Sequence, residues 1–558
     1  MAQERVAPLH RFWLLIKPDK REIRNVYVYA IFYGLVQLSL PIGIQAIINL
    51  IQGGQMSTSW VILVICVIGG VVINGILQIA QLQIVEHLQQ KIFARAAFEF
   101  AYRIPKIRME ELYDKYAPEL MNRFFDIVSV QKGLSKMLID FSTASIQTIF
   151  GLFLLSMYHP FFIIFSLILI VLIYAIFRYT TRRGLETSLK ESKSKYYVAS
   201  WLEELARASI SFKLAGKTDL PLEKTNYEVE MYVGARESHF KVLKQQYILM
   251  VIFKVIVAAG LLIVGSLLVM DQQMNIGQFV AAEIIILLII GAVEKIMMSL
   301  ETIYDVITSL EKVGQVTDLE LERTTGRNIH EIATRDGLKV EVSNVDFHYP
   351  GQEKYVFKDA SITINDGENV VLLGDGSSGK TTFLYLLGGL YPVQKGTVAY
   401  NDLPLDSLNP IHVRTLIGNC LSNETLFEGT IFENISMGRE NVSFENVRWI
   451  ADKLNLTDYI KSLPQGFNTQ VLAQGRSISR GKIDKLILAR ALVGNPKLVL
   501  IKDAFTSLRE KERYEIYEFL TDSSNPWTLV VSSSDEELKK YFSRVIIAKN
   551  GKLNELNS

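Results

Sequence analysis

The 558 residues, 49% of them hydrophobic, are too many for one domain, and a formal net charge of +1 lacks the basic excess of a nucleic-acid-binding protein, so no nucleic acid is expected as a partner. Cys66 and Cys420 lie far apart, which excludes a disulfide framework or a cysteine metal site and leaves both as packing residues. The opening stretch MAQERVAPLHRFWLLIKPDKREIR is charged and lacks a small-residue cleavage site, so no cleavable signal peptide is expected.

After this N-terminal segment (1–24), six apolar stretches follow at 25–51, 60–83, 141–158, 160–177, 247–270 and 276–298. Each is close to the roughly 20 residues a helix needs to cross a bilayer. They are too long and too apolar for a soluble helical core, so 25–311 is expected to be an all-α transmembrane domain in contact with membrane lipid. The short loops QGGQMSTS, YHP and DQQMN carry no Lys or Arg. The opposite ends carry Lys17, Lys20, Arg21, Arg24, Lys91, Arg95, Arg178, Arg182, Arg183, Lys241 and Lys244. The positive-inside rule then puts both termini in the cytosol, with the protein in a plasma or inner membrane. The intervals 84–140 and 178–246 are amphipathic and are expected to carry the membrane helices into the cytosol and back.

Ionisable residues inside a span are costly, and mark function by default. Glu283 and Glu294 in the sixth stretch are eleven residues apart, about three helical turns, and so nearly on one face. That face is expected to line a transport path, with Glu294 paired to Lys254 of the fifth stretch. Alternatively, Glu294 snorkels to the nearby interface and Glu283 is a protonated packing residue.

Residues 312–337 are polar and read as a linker; from 338 to 558 the composition is that of a soluble α/β domain. Tyr349, in FHYPG, either stacks on a nucleobase or packs at a strand edge. VVLLGDGSSGKTT follows: an apolar strand, then Gly374, Asp375, Gly376, Ser377, Ser378, Gly379, Lys380, Thr381 and Thr382, then an apolar helix. Glycines let backbone N–H groups converge on phosphate oxygens, Lys380 reaches the β- and γ-phosphates, and the Thr381 hydroxyl can hold Mg²⁺. The helix N-terminus favours the phosphate charge. In LVLIKDAFTSL, a buried strand is expected to deliver Asp503 to the metal.

The order of these parts, with GLYPVQKGTVAYND (389–402), LFEGTIFENI (426–435) and ISRGK (478–482), resembles an exporter-type half-transporter of the ABC family over nearly the whole chain. The resemblance implies a six-helix membrane domain with long cytosolic helical extensions, followed by an α/β P-loop nucleotide-binding domain. MEELYDKY (109–116) and WLEELARASISFKLAG (201–216) resemble that family's coupling helices, or are solvated helix surface. No peptidase domain is seen before the first span, so peptide maturation is not expected. The implied partner is a second half-transporter, the same or different, with two ATP molecules sandwiched between phosphate loop and signature segment; a membrane-fusion protein would join it in a secretion system.

Four positions depart from the family pattern. Ala504 stands for the catalytic glutamate, Ser534 for the γ-phosphate histidine, and Ser422 for the loop glutamine, with Asn423 as a weak substitute. ISRGK keeps Ser479 and Gly481 of the signature but puts Arg480 where a glycine lets the backbone approach phosphate. Lys502, beside Asp503, either snorkels or takes over part of the metal's charge. A positioned base typically contributes about 10²–10⁴-fold in rate. The expectation is a subunit that binds Mg-ATP and hydrolyses it poorly by itself. A non-transporting, nucleotide-binding regulator or scaffold is the alternative.

Overall fold

The computed structural model describes residues 8–54, 58–328, 337–421, 424–502 and 505–556. The chain divides into two units: Met1–Pro105 with Lys115–Leu319, and Lys106–Asp114 with Glu320–Ser558.

The first unit is helical. The stretch expected as a single first span is two helices, α1 (Lys20–Gln37) and α2 (Ser39–Gln52). Pro41 has no N–H to offer the carbonyl of Gln37, so the helix breaks there. Then come α3 (Thr58–Arg103), α4 (Asp126–Lys136), α5 (Ser142–Ser156), α6 (Pro160–Arg207), α7 (Leu220–Met270) and α8 (Ile276–Thr317). Six helical runs among the described residues are long and apolar enough to cross a membrane. Helices α3, α6 and α7 run far beyond the apolar stretches, giving the expected extensions.

The turns are set by local chemistry. His159 caps α6, its Nδ1 accepting from the Phe161 N–H at 3.2 Å, with Pro160 preset for the first turn. Asn275 and Gln278 form a reciprocal capping box at the start of α8. Close helix approach is made at small residues: a Cβ on Gly184 of α6 would lie 2.4 Å from the Tyr304 ring of α8. The Tyr304 hydroxyl accepts a 3.0 Å bond from Gln246 of α7, so three helices meet at one ring. Outward-facing apolar side chains such as Ile65 and Leu167, 62% and 63% exposed, are suited to lipid rather than water.

The second unit is α/β. An antiparallel sheet has the order β2-β1-β4-β5, from β1 (Val340–Phe347), β2 (Phe357–Ile364), β4 (Lys395–Tyr400) and β5 (Leu403–Pro404). A six-stranded sheet has the order β12-β11-β3-β10-β9-β6. Its strands are β3 (Asn369–Leu373), β6 (Ile417–Cys420), β9 (Leu498–Lys502), β10 (Thr528–Ser532), β11 (Arg544–Lys549) and β12 (Lys552–Glu555). Strands β6, β9, β10, β3 and β11 are parallel, and β12 is antiparallel at one edge. A two-stranded ribbon joins β7 (Gly429–Thr430) to β8 (Gln470–Val471). One face of the large sheet is covered by α9 (Lys380–Leu387), the other by elements that include α10 (Arg480–Leu492).

The linker expected over 312–337 is shorter than its polarity implied. Helix α8 continues to Thr317. Beyond it, Ile107 and Leu321 form an antiparallel bridge, flanked by Arg108 N–H to Glu320 O at 3.0 Å and Glu322 N–H to Lys106 O at 2.7 Å. Arg414 holds Glu322 through two bonds of 2.5 and 2.8 Å, and Arg108 pairs with Glu320 at 2.6 Å. Charges that read as solvated linker are ion pairs that fasten it to the α/β unit.

Candidate nucleotide site

Parallel strands end together, so the segments that follow them share one sheet edge, where open α/β sheets bind ligands. Here β3 leads into the 374–380 loop, β10 into Ser533 and Ser534, β9 into 503–504 and β6 into the loop after Cys420. The ends of four strands scattered over the sequence thus come to one edge, and the residues that follow two of them, 503–504 and 422–423, lie outside the described residues.

The loop is built for close approach. Gly374 has φ +152°, and a Cβ there would lie 2.6 Å from the Ala548 carbonyl. Gly379, at φ +96°, forms the N-cap of α9. Lys380 is buried, and its ammonium donates to the carbonyls of Gly374 at 2.6 Å and Asp375 at 3.0 Å, curling the loop around it. The Ser378 Oγ is buried without a hydrogen-bond partner among the described residues. Asp375, Gly376 and Ser377 are exposed, and Thr381 is half-buried in the first turn of α9. Loop, ammonium, orphaned hydroxyl and helix N-terminus fit a polyphosphate. For a metal ion, Thr381 offers a hydroxyl, Asp503 lies outside the described residues, and the last residue of β9 is Lys502.

Tyr349 takes part in an aromatic cluster rather than standing free. Tyr113 stacks on it (5.0 Å, 15°), and Phe347 and Tyr391 meet it edge-on at 5.2 and 5.4 Å. Its hydroxyl shares a 2.9 Å hydrogen bond with Thr382 of α9. Burial pushes the Tyr349 phenol above its ordinary value. Tyr113 belongs to the MEELYDKY turn, of which residues 109–114 are in the α/β unit and Lys115 and Tyr116 in the helical one. The other turn, at 201–216, lies in the helical unit and includes a short helix, Ser209–Leu214.

In the signature segment Ser479 is exposed and is the N-cap of α10, its hydroxyl making no capping bond. Arg480 turns back on its own helix to pair with Asp484 at 3.0 Å, and Asp484 accepts from the Ser507 hydroxyl. Gly481 allows contact with the segment after β9, since a Cβ there would be 2.6 Å from a Leu508 methyl. Ser534 is exposed beyond β10. Ser422 and Ala504, like Asn423 and Asp503, lie outside the described residues. Glu424, near Ser422 in sequence, accepts from its own loop, the Leu421 N–H at 2.9 Å, and burial raises its pKa.

In the helical unit the structure brings Lys254 and Glu294 together, Nζ to Oε2 at 2.6 Å, each about one-third exposed. Glu283, half-buried on the same helix, has no ion pair among the described residues.

Sequence reading did not anticipate two features. Tyr113 covers Tyr349 across a large separation that no local pattern encodes. Ser377 takes φ +66°, beside a glycine that does not need that conformation; the GDGSSG run alone could not say which residue turns left-handed.

Two family models match the chain: the ABC transporter transmembrane region over residues 24–293 and the ABC transporter domain over 357–506. The chain is 27% identical over 291 residues to the alpha-hemolysin translocation ATP-binding protein HlyB of Escherichia coli O157:H7, across 52% of this chain and 41% of that protein. It is 33% identical over 220 residues to ATP-binding cassette sub-family B member 10, mitochondrial, of Mus musculus, across 39% and 31%. The matched stretches thus span less than half of these relatives' lengths. Among solved structures, a bacterial Atm1-family ABC exporter with ATP bound is similar in fold, with a TM-score of 0.80 over 96% of this chain and 94% of that one, at 15% identity.

Proposed function

The chain belongs to the ABC transporter family, a multi-pass membrane region fused to a nucleotide-binding domain, and from that premise we propose that it is an exporter half-subunit that binds ATP, hydrolyses it poorly by itself and works in a dimer. The observation that carries the reading is the loop around Lys380, whose ammonium is held at the mouth of a glycine turn between β3 and α9. A triphosphate exchanges those carbonyl contacts for stronger, charge-assisted ones. Mg²⁺, where it accompanies ATP, neutralises phosphate charge, with Thr381 and Asp503 as its candidate ligands.

Poor hydrolysis follows from the altered residues. Ala504 cannot take a proton, Ser534 and Ser422 lack the reach of the groups they replace, and Arg480 is engaged with Asp484. Glu424, the carboxylate nearest in sequence to Ser422, is engaged with its own loop and does not stand in for the base.

The short helix Ser209–Leu214 supports the dimer, since Ile210 and Leu214 are 71% and 82% exposed at its surface. Apolar side chains presented this way suit docking on a second subunit. A homodimer leaves both sites without a base. A heterodimer with an intact half-transporter gains one competent site, completed by Ser479 and Gly481 of this chain, with Arg480 contacting phosphate once it leaves Asp484. Glu283, Glu294 and Lys254 are assigned to the transport path, in a plasma or inner membrane with both termini cytosolic, and movement is outward.

The test is equilibrium ATP binding by the full chain in lipid nanodiscs. Hydrogen bonds to charged groups contribute about 1.5–3 kcal/mol, so Lys380→Ala is expected to weaken ATP by about 10- to 100-fold. Equal affinity of the two proteins would remove the loop from the account. An assembled dimer that binds ATP yet moves nothing would favour the regulator or scaffold.

A further inference from the structure

The helix Pro8–Ile16, which precedes the first span, has two faces. Phe12, Leu15 and Ile16 turn inward and pack with residues of α3, α4 and α8. Arg11 fastens the helix to the end of α8, pairing with Glu311 at 2.8 Å and with Asp318. On the other side His10, Trp13, Leu14 and, in the turn that follows, Lys17 recur at helical spacing. At the start of α1, Lys20, Ile23, Arg24 and Tyr27 do the same. Residues three and four apart share a helix face. These two rows line a single groove of ≈ 560 Å³.

The groove joins two kinds of surface. Trp13, Leu14 and Tyr27 are 64%, 51% and 44% exposed. Tryptophan and tyrosine beside the start of a span suit the membrane–water interface, where the polar tip stays wet and the ring does not. The charges are one-sided. The acidic residues of this stretch are taken up by α3: Arg95 holds Asp19 at 2.8 Å and Lys91 holds Glu22 at 2.8 Å. Lys17, Lys20 and Arg24, which line the groove, are exposed and have no ion pair among the described residues. Lysines in water need no partner, but the apolar side chains beside them are costly there. A molecule with apolar chains and a negative head meets both.

We propose that this groove binds a phospholipid with an anionic headgroup, its phosphate held by Lys17, Lys20 and Arg24 and the upper part of its chains lying along Trp13, Leu14 and Tyr27. Basic residues next to a span attract such lipids, by about 1 kcal/mol for each Lys or Arg near the surface, which is about fivefold in preference. The site rests on the membrane region and is independent of the reading of the nucleotide site. The bound lipid ties the helix Pro8–Ile16 to the bilayer, and Arg11 passes that anchorage to the end of α8.

The experiment is tryptophan fluorescence of the full-length protein in phosphatidylcholine vesicles, with part of the lipid replaced by a phospholipid whose brominated chains quench nearby tryptophan. Wild type is expected to be quenched at least about twofold more by brominated phosphatidylglycerol than by the same fraction of brominated phosphatidylcholine. Trp13→Phe, and the triple variant Lys17→Gln, Lys20→Gln and Arg24→Gln, are expected to lose that excess and keep the quenching common to both lipids. Arg24→Gln alone, a single change at an exposed side chain, is expected to raise the phosphatidylglycerol fraction needed for half of the excess about fivefold. Lys17→Arg with Lys20→Arg is expected to leave it unchanged. Equal quenching of wild type by the two lipids would overturn the inference. So would an excess that survives in Trp13→Phe or in the triple variant, or an unchanged half-point in Arg24→Gln.

Discussion

Ser377 shows how much a single residue can hide. Its φ of +66° is a left-handed conformation that costs a residue with a Cβ about 1–2 kcal/mol. Glycine would avoid that cost but lose about 0.5–1 kcal/mol more backbone entropy on folding. The first term is larger, so Ser377→Gly is expected to stabilise the nucleotide-binding domain by about 0.5–1 kcal/mol. Chemical denaturation followed through that domain's transition is the check; a loss of stability would mean the turn is not strained. The strand, loop and helix around Gly374–Gly379–Lys380–Thr381 were readable because such a loop depends on backbone and a few fixed side chains. The φ of Ser377 was not, because Gly376 beside it could have made the same turn. Tyr349 was readable only in part: its position named it, but the Tyr113 ring that covers it comes from a segment far away in sequence.

At the scale of elements, hydropathy found the six spans but not the joints inside them. The break between α1 and α2 follows from Pro41, and a π-helical turn, Met137–Phe141, leads into α5. The contact of α6, α7 and α8 is the clearest case of packing that sequence does not announce. Gly184 reads as an ordinary helix glycine, yet it faces the Tyr304 ring, fully buried and fixed by Gln246. A methyl group there forces the ring to move. Gly184→Ala is expected to cost about 1–3 kcal/mol, whereas Gly291→Ala, with open space around its Cβ, should be neutral or gain up to about 1 kcal/mol. Thermal melts of the two variants decide this; equal melting temperatures would show that the ring is not a fixed neighbour. The Lys254–Glu294 pair was within reach of sequence reasoning, because depth in the membrane and the cost of a lone charge restrict the partners available.

For the whole molecule, the order of motifs carried the architecture, because each motif marks the end of a strand or the start of a helix. The division into units was less accessible. Residues 106–114 belong with the α/β unit although they lie between membrane helices, and residues read as linker are tied down by Arg414 and Arg108. Charged residues in sequence look the same whether they face water or each other. The proposed function makes this a subunit that holds a triphosphate and cuts it poorly, a reading that rests on the loop around Lys380 and on the residues at 422, 480, 504 and 534. The most direct test is ATP turnover by the purified protein alone, in lipid nanodiscs at saturating ATP, beside Lys380→Ala. The account predicts the same residual rate for both. Robust turnover by the wild type that disappears in Lys380→Ala would contradict it.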